Sequence, residues 1–263
     1  MDLGIRGKVA IVAAASKGLG RAIAEELAAE GVSLVMCARG SEALDKTVEA
    51  IRSSSGVEVV GIAADVSKPE DVTRVVLAAI HRFSRIDILV TNAGGPPSGM
   101  FESLTPAMWD DAVRLLLLST VNFCREVLPG MRERKWGRII NVTSITVKQP
   151  VEGLMLSNSI RAGVTGFAKT LSNEVAADGI TVNNILPGHT RTQRAIDLTK
   201  ANAARKGISF EEAVTKREAE IPMGRTGEPR EFAALAAFLA SERASYITGT
   251  SIQVDGGWIK GLL

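Results

Sequence analysis

The sequence predicts a single-domain α/β fold, a doubly wound parallel sheet between two layers of helices. Three observations lead there. The chain has 263 residues, the length of one large domain, and no linker, repeat or low-complexity tract divides residues 1–263. Strand-like and helix-like segments alternate along it, the pattern of a parallel sheet crossed by helices. The strands are short continuous apolar runs, as expected where both faces of a sheet are covered.

The elements follow in order. VAIVAA, from Val9, is the first strand. Residues 18–30 carry helical spacing, with Ala22, Ile23, Leu27 and Ala28 on one face, and Gly31 ends the helix. VSLVMCA is the second strand, residues 42–52 a polar-rich helix, and VEVVGIA the third strand. Pro69, just after Ser67 and Lys68, opens a helix to about Phe83. IDILVTNAGG is a fourth strand with a Gly-rich exit. Residues 106–131 form one long helix, GRIINVTS a fifth strand, residues 157–178 another long helix, and ITVNNILPG a sixth strand. Residues 230–241 are helical, and TSIQVDGG is a last short strand. Residues 189–225 are charged and polar and follow a strand's carboxyl end, where open α/β sheets bind ligands. They read equally as a mobile lid over a site or as a plain surface excursion.

Composition narrows the function. The apolar fraction is 46% and the charged fraction 23%, enough to bury a sizeable core. Lys plus Arg total 31 against 29 for Asp plus Glu, a net charge of +2, so the basic excess of a nucleic-acid binder is missing. The two cysteines, Cys37 and Cys124, lie far apart in apolar stretches. A disulfide framework and a thiolate zinc site are not expected, and a reducing cytoplasm fits. With two histidines, His81 and His189, no multi-histidine metal cluster can be built. MDLGIRGKV lacks the apolar core of a signal peptide, and no run approaches the ~18 apolar residues of a membrane span.

The first strand runs into AAASKGLG, and a helix follows. A Gly-rich strand-to-helix turn lets backbone N–H groups approach a phosphate, or simply permits close helix–sheet packing. Context favours the phosphate, because the turn follows the first buried strand and opens a helix. The candidate cradle is Ala14, Ser16, Lys17, Gly18, Leu19 and Gly20. The second strand ends in Cys37, Ala38 and Arg39. Sites for NAD place a carboxylate near this point for the ribose 2′-hydroxyl, whereas a basic group accommodates a 2′-phosphate. Ala38 leaves the acidic position empty, and Arg39, with Lys17 as a second cation, fits NADP(H) better than NAD(H). Solvated surface charges are the alternative.

Further motifs stand in order along the chain: Asp65-Val66 after the third strand, Thr91-Asn92-Ala93-Gly94 after the fourth, Pro187-Gly188 followed by Thr192 after the sixth, and SYITGTSIQVDGG near the end. With the Gly-rich turn, these five ordered matches resemble the short-chain dehydrogenase/reductase family, in particular its 3-oxoacyl-carrier-protein reductase-like members, over nearly the whole chain. The resemblance implies a Rossmann-type sheet, a dinucleotide cofactor, a carbonyl or hydroxyl substrate, and helix-mediated dimers that assemble into tetramers. It implies cofactor contacts at Asp65, Val66, Asn92, Ala93, Gly94, Arg161, Pro187, Gly188 and Thr192, as well as at the Gly-rich turn.

The family's catalytic set is Asn, Ser, Tyr and Lys, with Tyr thirteen residues after Ser and Lys four beyond Tyr. GRIINVTS places the Ser at Ser144; the next positions then hold Ser157 and Arg161, and WDDAVRLLLLS puts Leu116 where the Asn stands. AGVTGFAKTLSNE, from Ala162, pins this register. The single tyrosine, Tyr246, lies near the last strand and cannot fill the slot. A phenol with a reference pKa near ~10 is tunable into a general acid, while an aliphatic hydroxyl is far less acidic. Arg161 stays protonated and stabilises negative charge rather than giving up a proton. The family's usual proton-transfer groups are thus absent, and Leu116 cannot hold a relay water.

Ser144, Ser157 and Arg161 remain as candidate catalytic residues, able to surround a carbonyl oxygen in the manner of an oxyanion hole; satisfaction of local backbone groups by the serines is the competing reading. His189 faces the nicotinamide or, as the sequence favours, lies exposed on a loop. Lys148 reads as a solvated lysine, Lys169 is too far along its helix, and His81 lies at the surface. Ala14 replaces the family's first turn glycine, which weakens the turn if positive φ is needed. Leu115 to Leu118 make more than one helix face apolar, one for the sheet and the other for a partner subunit, in preference to burial deep within one chain. Three functions stand on this pattern: an NADP(H)-dependent oxidoreductase, a dinucleotide-binding module without turnover that acts as a sensor or assembly partner, and a lyase or isomerase using the same pocket.

Overall fold

The computed structural model describes residues 2–262. One seven-stranded sheet runs through the chain in the order β3-β2-β1-β4-β5-β6-β7, and every neighbouring pair is parallel. The strands are β1 (Val9–Ala13), β2 (Ser33–Ala38), β3 (Val59–Ala63), β4 (Ile88–Thr91), β5 (Gly137–Val142), β6 (Ile180–Pro187) and β7 (Ser251–Val254). The helices are α1 (Gly18–Ala29), α2 (Ser41–Ser55), α3 (Pro69–Phe83), α4 (Pro106–Ala112), α5 (Ser119–Glu133), α6 (Met155–Val175), α7 (Gln193–Lys206), α8 (Phe210–Ala219) and α9 (Pro229–Leu239).

Strand alternation builds two cores from one sheet. Ala10 and Val12 of β1 face a cluster containing Ile23 and Leu27 of α1, Leu44 and Val48 of α2, and Phe232 and Ala236 of α9. Ile11 and Ala13 face the opposite way, onto Val72 and Val75 of α3, Phe123 and Val127 of α5, and Leu171 and Val175 of α6. Three layers result, as the apolar strand runs predict. The order of strands reverses between β1 and β4, and the carboxyl ends of those two strands open onto the crevice where such sheets bind ligands.

A polar chain locks the register of the four strands beyond that point. Thr91 Oγ1 donates to Asn141 Oδ1 at 2.7 Å, Asn141 Nδ2 to Asn184 Oδ1 at 3.0 Å, and Asn184 Nδ2 to Ser251 Oγ at 3.0 Å. These four residues are register neighbours on β4 to β7. Slipping any strand by one residue would turn its polar group to the other face and leave its partners unpaired in a buried site.

The expected helix over 106–131 is broken in character. Val113–Leu118 forms a π-helical turn between α4 and α5, so the four leucines do not follow ordinary helical spacing. Leu116 is buried, Leu115 packs against the core, and Leu118 is exposed. The expected helix over 157–178 starts two residues earlier, at Met155, and tightens into a 3₁₀ turn at Ala176–Asp178. Residues 189–225 contain α7 and α8, each with a hydroxyl N-cap, Thr192 and Ser209. Among the described residues no helix is long and apolar enough to cross a membrane. Cys37 and Cys124 are free and buried, and burial pushes both thiols up to about 12.

Candidate active site

Three strand exits meet at the crevice. From β1, the turn 14–20 folds back on itself. A Cβ on Gly20 would collide with the Ala14 carbonyl oxygen and come within 2.9 Å of Asn92 Nδ2, so the turn presses directly on the β4 exit and only glycine fits there. Ala14 has φ +50°, so the position does adopt the left-handed region, where a methyl is strained. Ser16 is held through its carbonyl by Thr47 Oγ1 at 3.0 Å, and Leu19 packs into the core. Lys17 caps α1 with its side chain in solvent, and the backbone amides of the first turn of α1 face the crevice end of the sheet. From β6, Thr192 comes down over this turn: its Cγ2 is 3.7 Å from where a Cβ on Gly18 would stand, while its hydroxyl accepts from Ala195 N.

Arg39 is exposed at the end of β2, and no ion pair engages it or Lys17 among the described residues. Both cations are therefore available on the β2 side of the crevice. Asp65 has a local role, its Oδ1 accepting from Ser67 N and Ser67 Oγ at 3.1 and 2.8 Å, and Val66 is buried in the core. Pro187 ends β6 and is followed by Gly188, whose N–H donates to Val254 O at 3.0 Å.

On the other side, Ser144 and Ser157 both reach Thr146, while Arg161 is held at the end of β5. Ser144 Oγ accepts from Thr146 N at 3.1 Å, and Thr146 Oγ1 lies 3.5 Å from Ser157 Oγ. Arg161 is buried; its Nη1 donates to the carbonyls of Val142 and Thr143 at 2.9 and 3.0 Å. Burial, with the charge of Arg194 adding to it, lowers the Arg161 pKa to about 10, so it remains a cation at neutral pH. Arg161 also lines a small cavity of about 10 Å³ with Thr91, Asn92, Ala93, Leu116 and Thr143, room for about one water. Thr143 Oγ1 is buried there without a hydrogen-bond partner. The π turn delivers Leu116 to this wall.

The remaining candidates lie elsewhere. His189, expected on an exposed loop, is half-buried edge-on against Trp258 at 5.5 Å and lines a separate cavity with Glu228 and Asp255. Burial and the charge of Arg217 hold its pKa below the usual histidine value. Lys148, read as solvated, donates to Gln253 Oε1 of β7 at 2.8 Å. Lys169 lies against Gly249, His81 is exposed, and Tyr246 is fully exposed. No cluster of three or more metal-ligating side chains occurs among the described residues.

A family model described as Enoyl-(Acyl carrier protein) reductase matches residues 13–259, which takes in both the dinucleotide turn and the Arg161 helix. The chain belongs to the short-chain dehydrogenase/reductase family. It is 37% identical over 255 residues to the 3-oxoacyl-(acyl-carrier-protein) reductase FabG of Vibrio cholerae, covering 97% of this chain and 98% of that protein. Among solved structures it is similar to the L-sorbose reductase of Gluconobacter frateurii complexed with NADPH and L-sorbose, with 37% identity, a TM-score of 0.95 and complete coverage of both chains. It is also similar to an actinorhodin polyketide ketoreductase with NADPH, with 35% identity, a TM-score of 0.93, and coverage of 97% and 98%. Short-chain reductases are thus its relatives in sequence and in shape, and it is an oxidoreductase at the level of the family.

Sequence reasoning missed Thr143, Thr146 and Arg194. Thr143 and Thr146 flank Ser144 in NVTSIT, so a hydroxyl-rich strand exit was a usable signal. Arg194 gave none, because its importance depends on how α7 folds back over the β4 exit.

Proposed function

We propose that the protein is an NADP(H)-dependent reductase of carbonyl compounds in which Arg161, with Ser144 and Ser157, replaces the family's phenol and ammonium. The observation that carries this is the buried Arg161 guanidinium, held on the Val142 and Thr143 carbonyls next to Ser144 in the chain, in a sequence whose one tyrosine is out in solvent. The residues present fit the dinucleotide: exposed Lys17 and Arg39 suit a 2′-phosphate, and the Gly20 close approach leaves backbone amides open to a pyrophosphate. NADPH in two of the similar structures supports the same reading.

When bound, the nicotinamide supplies or accepts a hydride. Ser144 Oγ accepts from Thr146 N, which leaves its O–H free to donate to a carbonyl oxygen. Ser157 lies on the other side of Thr146 and offers a second hydroxyl. Arg161 is anchored through Nη1 on two backbone carbonyls, and in this reading its positive charge stabilises an alkoxide as it forms. None of these groups is an acid near neutrality, so the proton comes from water. The small cavity at Thr143 and Arg161 has the size and polar lining to hold one such water.

Fluorescence titration of NADPH and NADH, followed by NADPH consumption with a ketone panel, tests the proposal. Tighter binding of NADPH with ketone-dependent consumption supports it; no consumption above blank across the panel contradicts it. Ser157→Tyr combined with Arg161→Lys and Leu116→Asn rebuilds the family's set, and a changed pH dependence of turnover in that variant would show that proton supply is what these positions control.

A further inference from the structure

Arg194 stands in the first turn of α7, and its guanidinium crosses from that helix to the β4 exit. It donates to Pro96 O at 3.4 Å and occupies the space that a side chain on Gly95 would take. Its position along that loop matters. Asn92 adjoins the Gly-rich turn, on the dinucleotide side. Gly99, further on, pairs with the segment leading into α6, where its N–H donates to Gly153 O at 2.8 Å, four residues before Ser157. Arg194 therefore touches the loop between the phosphate cradle and the catalytic helix.

Its charge is not answered among the described residues. Arg191 and Arg225, in the same stretch of chain, form ion pairs with Glu228 at 3.0 Å and Glu231 at 2.6 Å. Neither Arg194 nor Arg161 has a carboxylate within ion-pair distance among the described residues, and the two cations are close enough for Arg194 to depress the Arg161 pKa. An exposed guanidinium against the β4 exit, with no carboxylate partner among the described residues, is open to an anionic ligand. A guanidinium forks naturally onto a carboxylate.

We infer that Arg194 recognises a carboxylate on the substrate, so that the site takes oxo-acids in preference to neutral ketones. This rests on the reductase reading for the carbonyl but not for the anion, because Arg194 is exposed on the helix that covers the site and its charge is available with or without turnover.

The test is calorimetric binding of pyruvate, acetoacetate and levulinate, each beside its methyl ester, to the NADP⁺-saturated and the nucleotide-free protein. The expected result is one acid binding about tenfold or more tighter than its ester. Arg194→Met abolishes that preference, and Arg194→Lys keeps part of it. If no acid outbinds its ester, or if Arg194→Met retains the preference, the inference is overturned. It is equally overturned if Arg194→Met weakens NADPH binding about tenfold without touching the acids, because the arginine then serves the dinucleotide's pyrophosphate. The two proposals fail separately. Acids that bind without any NADPH consumption refute the reductase alone, and esters reduced as well as acids refute the anion site alone.

Discussion

Arg39→Asp is expected to reverse the nucleotide preference. Arg39 is exposed at the end of β2, with no acid holding it among the described residues. A guanidinium fork on a 2′-phosphate in solvent contributes about 1–2 kcal/mol once discounted for exposure, or roughly five- to thirtyfold in affinity. An aspartate adds repulsion. At about 5 Å in water each pair of unit charges costs about 0.8 kcal/mol, and the phosphate carries about −1.5 to −2, which adds roughly another tenfold. The combined loss for NADPH is about a hundredfold. NADH holds or improves, because a carboxylate accepts from the ribose hydroxyls. Fluorescence titration at low salt measures both. Raising the ionic strength to about 0.5 M should weaken NADPH binding to the wild type and hardly affect NADH, since the contact is exposed to screening. Equal losses for the two nucleotides, or no loss for NADPH, would refute the assignment of Arg39 to the 2′-phosphate.

Other outcomes follow from the same geometry. Ala14→Gly removes the left-handed strain at φ +50°; the relief of about 1–2 kcal/mol exceeds the entropy cost of glycine, so the melting temperature should rise by about 1–4 °C and dinucleotide affinity should not fall, as thermal melts and titration would record. Arg161→Met should lower kcat about a hundredfold, with partial recovery in Arg161→Lys, as expected of a group that stabilises charge at the reacting oxygen; an unchanged kcat would remove it from the mechanism. His189 is held below its usual pKa by burial and by Arg217. Its neutral form is favoured in the folded state, so stability is full above about pH 6.5 and declines as pH falls below that value. Urea unfolding across pH 5–8 should show this decline in the wild type and a smaller one in His189→Asn.

The architecture was legible because the central strands β1, β2, β4, β5 and β6 are buried on both faces and therefore read as apolar runs. The Gly-rich turn was legible for a related reason: Gly20 sits against a backbone carbonyl, and steric necessity of that kind leaves a mark in the sequence. The π turn left none, since four leucines satisfy helix spacing and π spacing alike, and only the packed structure shows Leu116 reaching the cavity wall. The chain Thr91–Asn141–Asn184–Ser251 was hidden because each member is a single polar residue in a different strand, and cross-strand register is not encoded locally. Ser144, Ser157 and Arg161 could be spaced from sequence, but Thr146, which stands between the two serines, could not. His189 was misplaced because its aromatic neighbour, Trp258, is 69 residues away in the chain.

The most direct test of a site run by a guanidinium rather than a phenol is the pH dependence of kcat for NADPH-dependent ketone reduction. With Arg161 the charged group assigned to the reacting oxygen and no acid near neutrality beside it, the profile should be flat from about pH 6 to 9, because burial lowers its pKa only to about 10. An inflection between pH 6 and 9, or no turnover at any pH, would contradict the account.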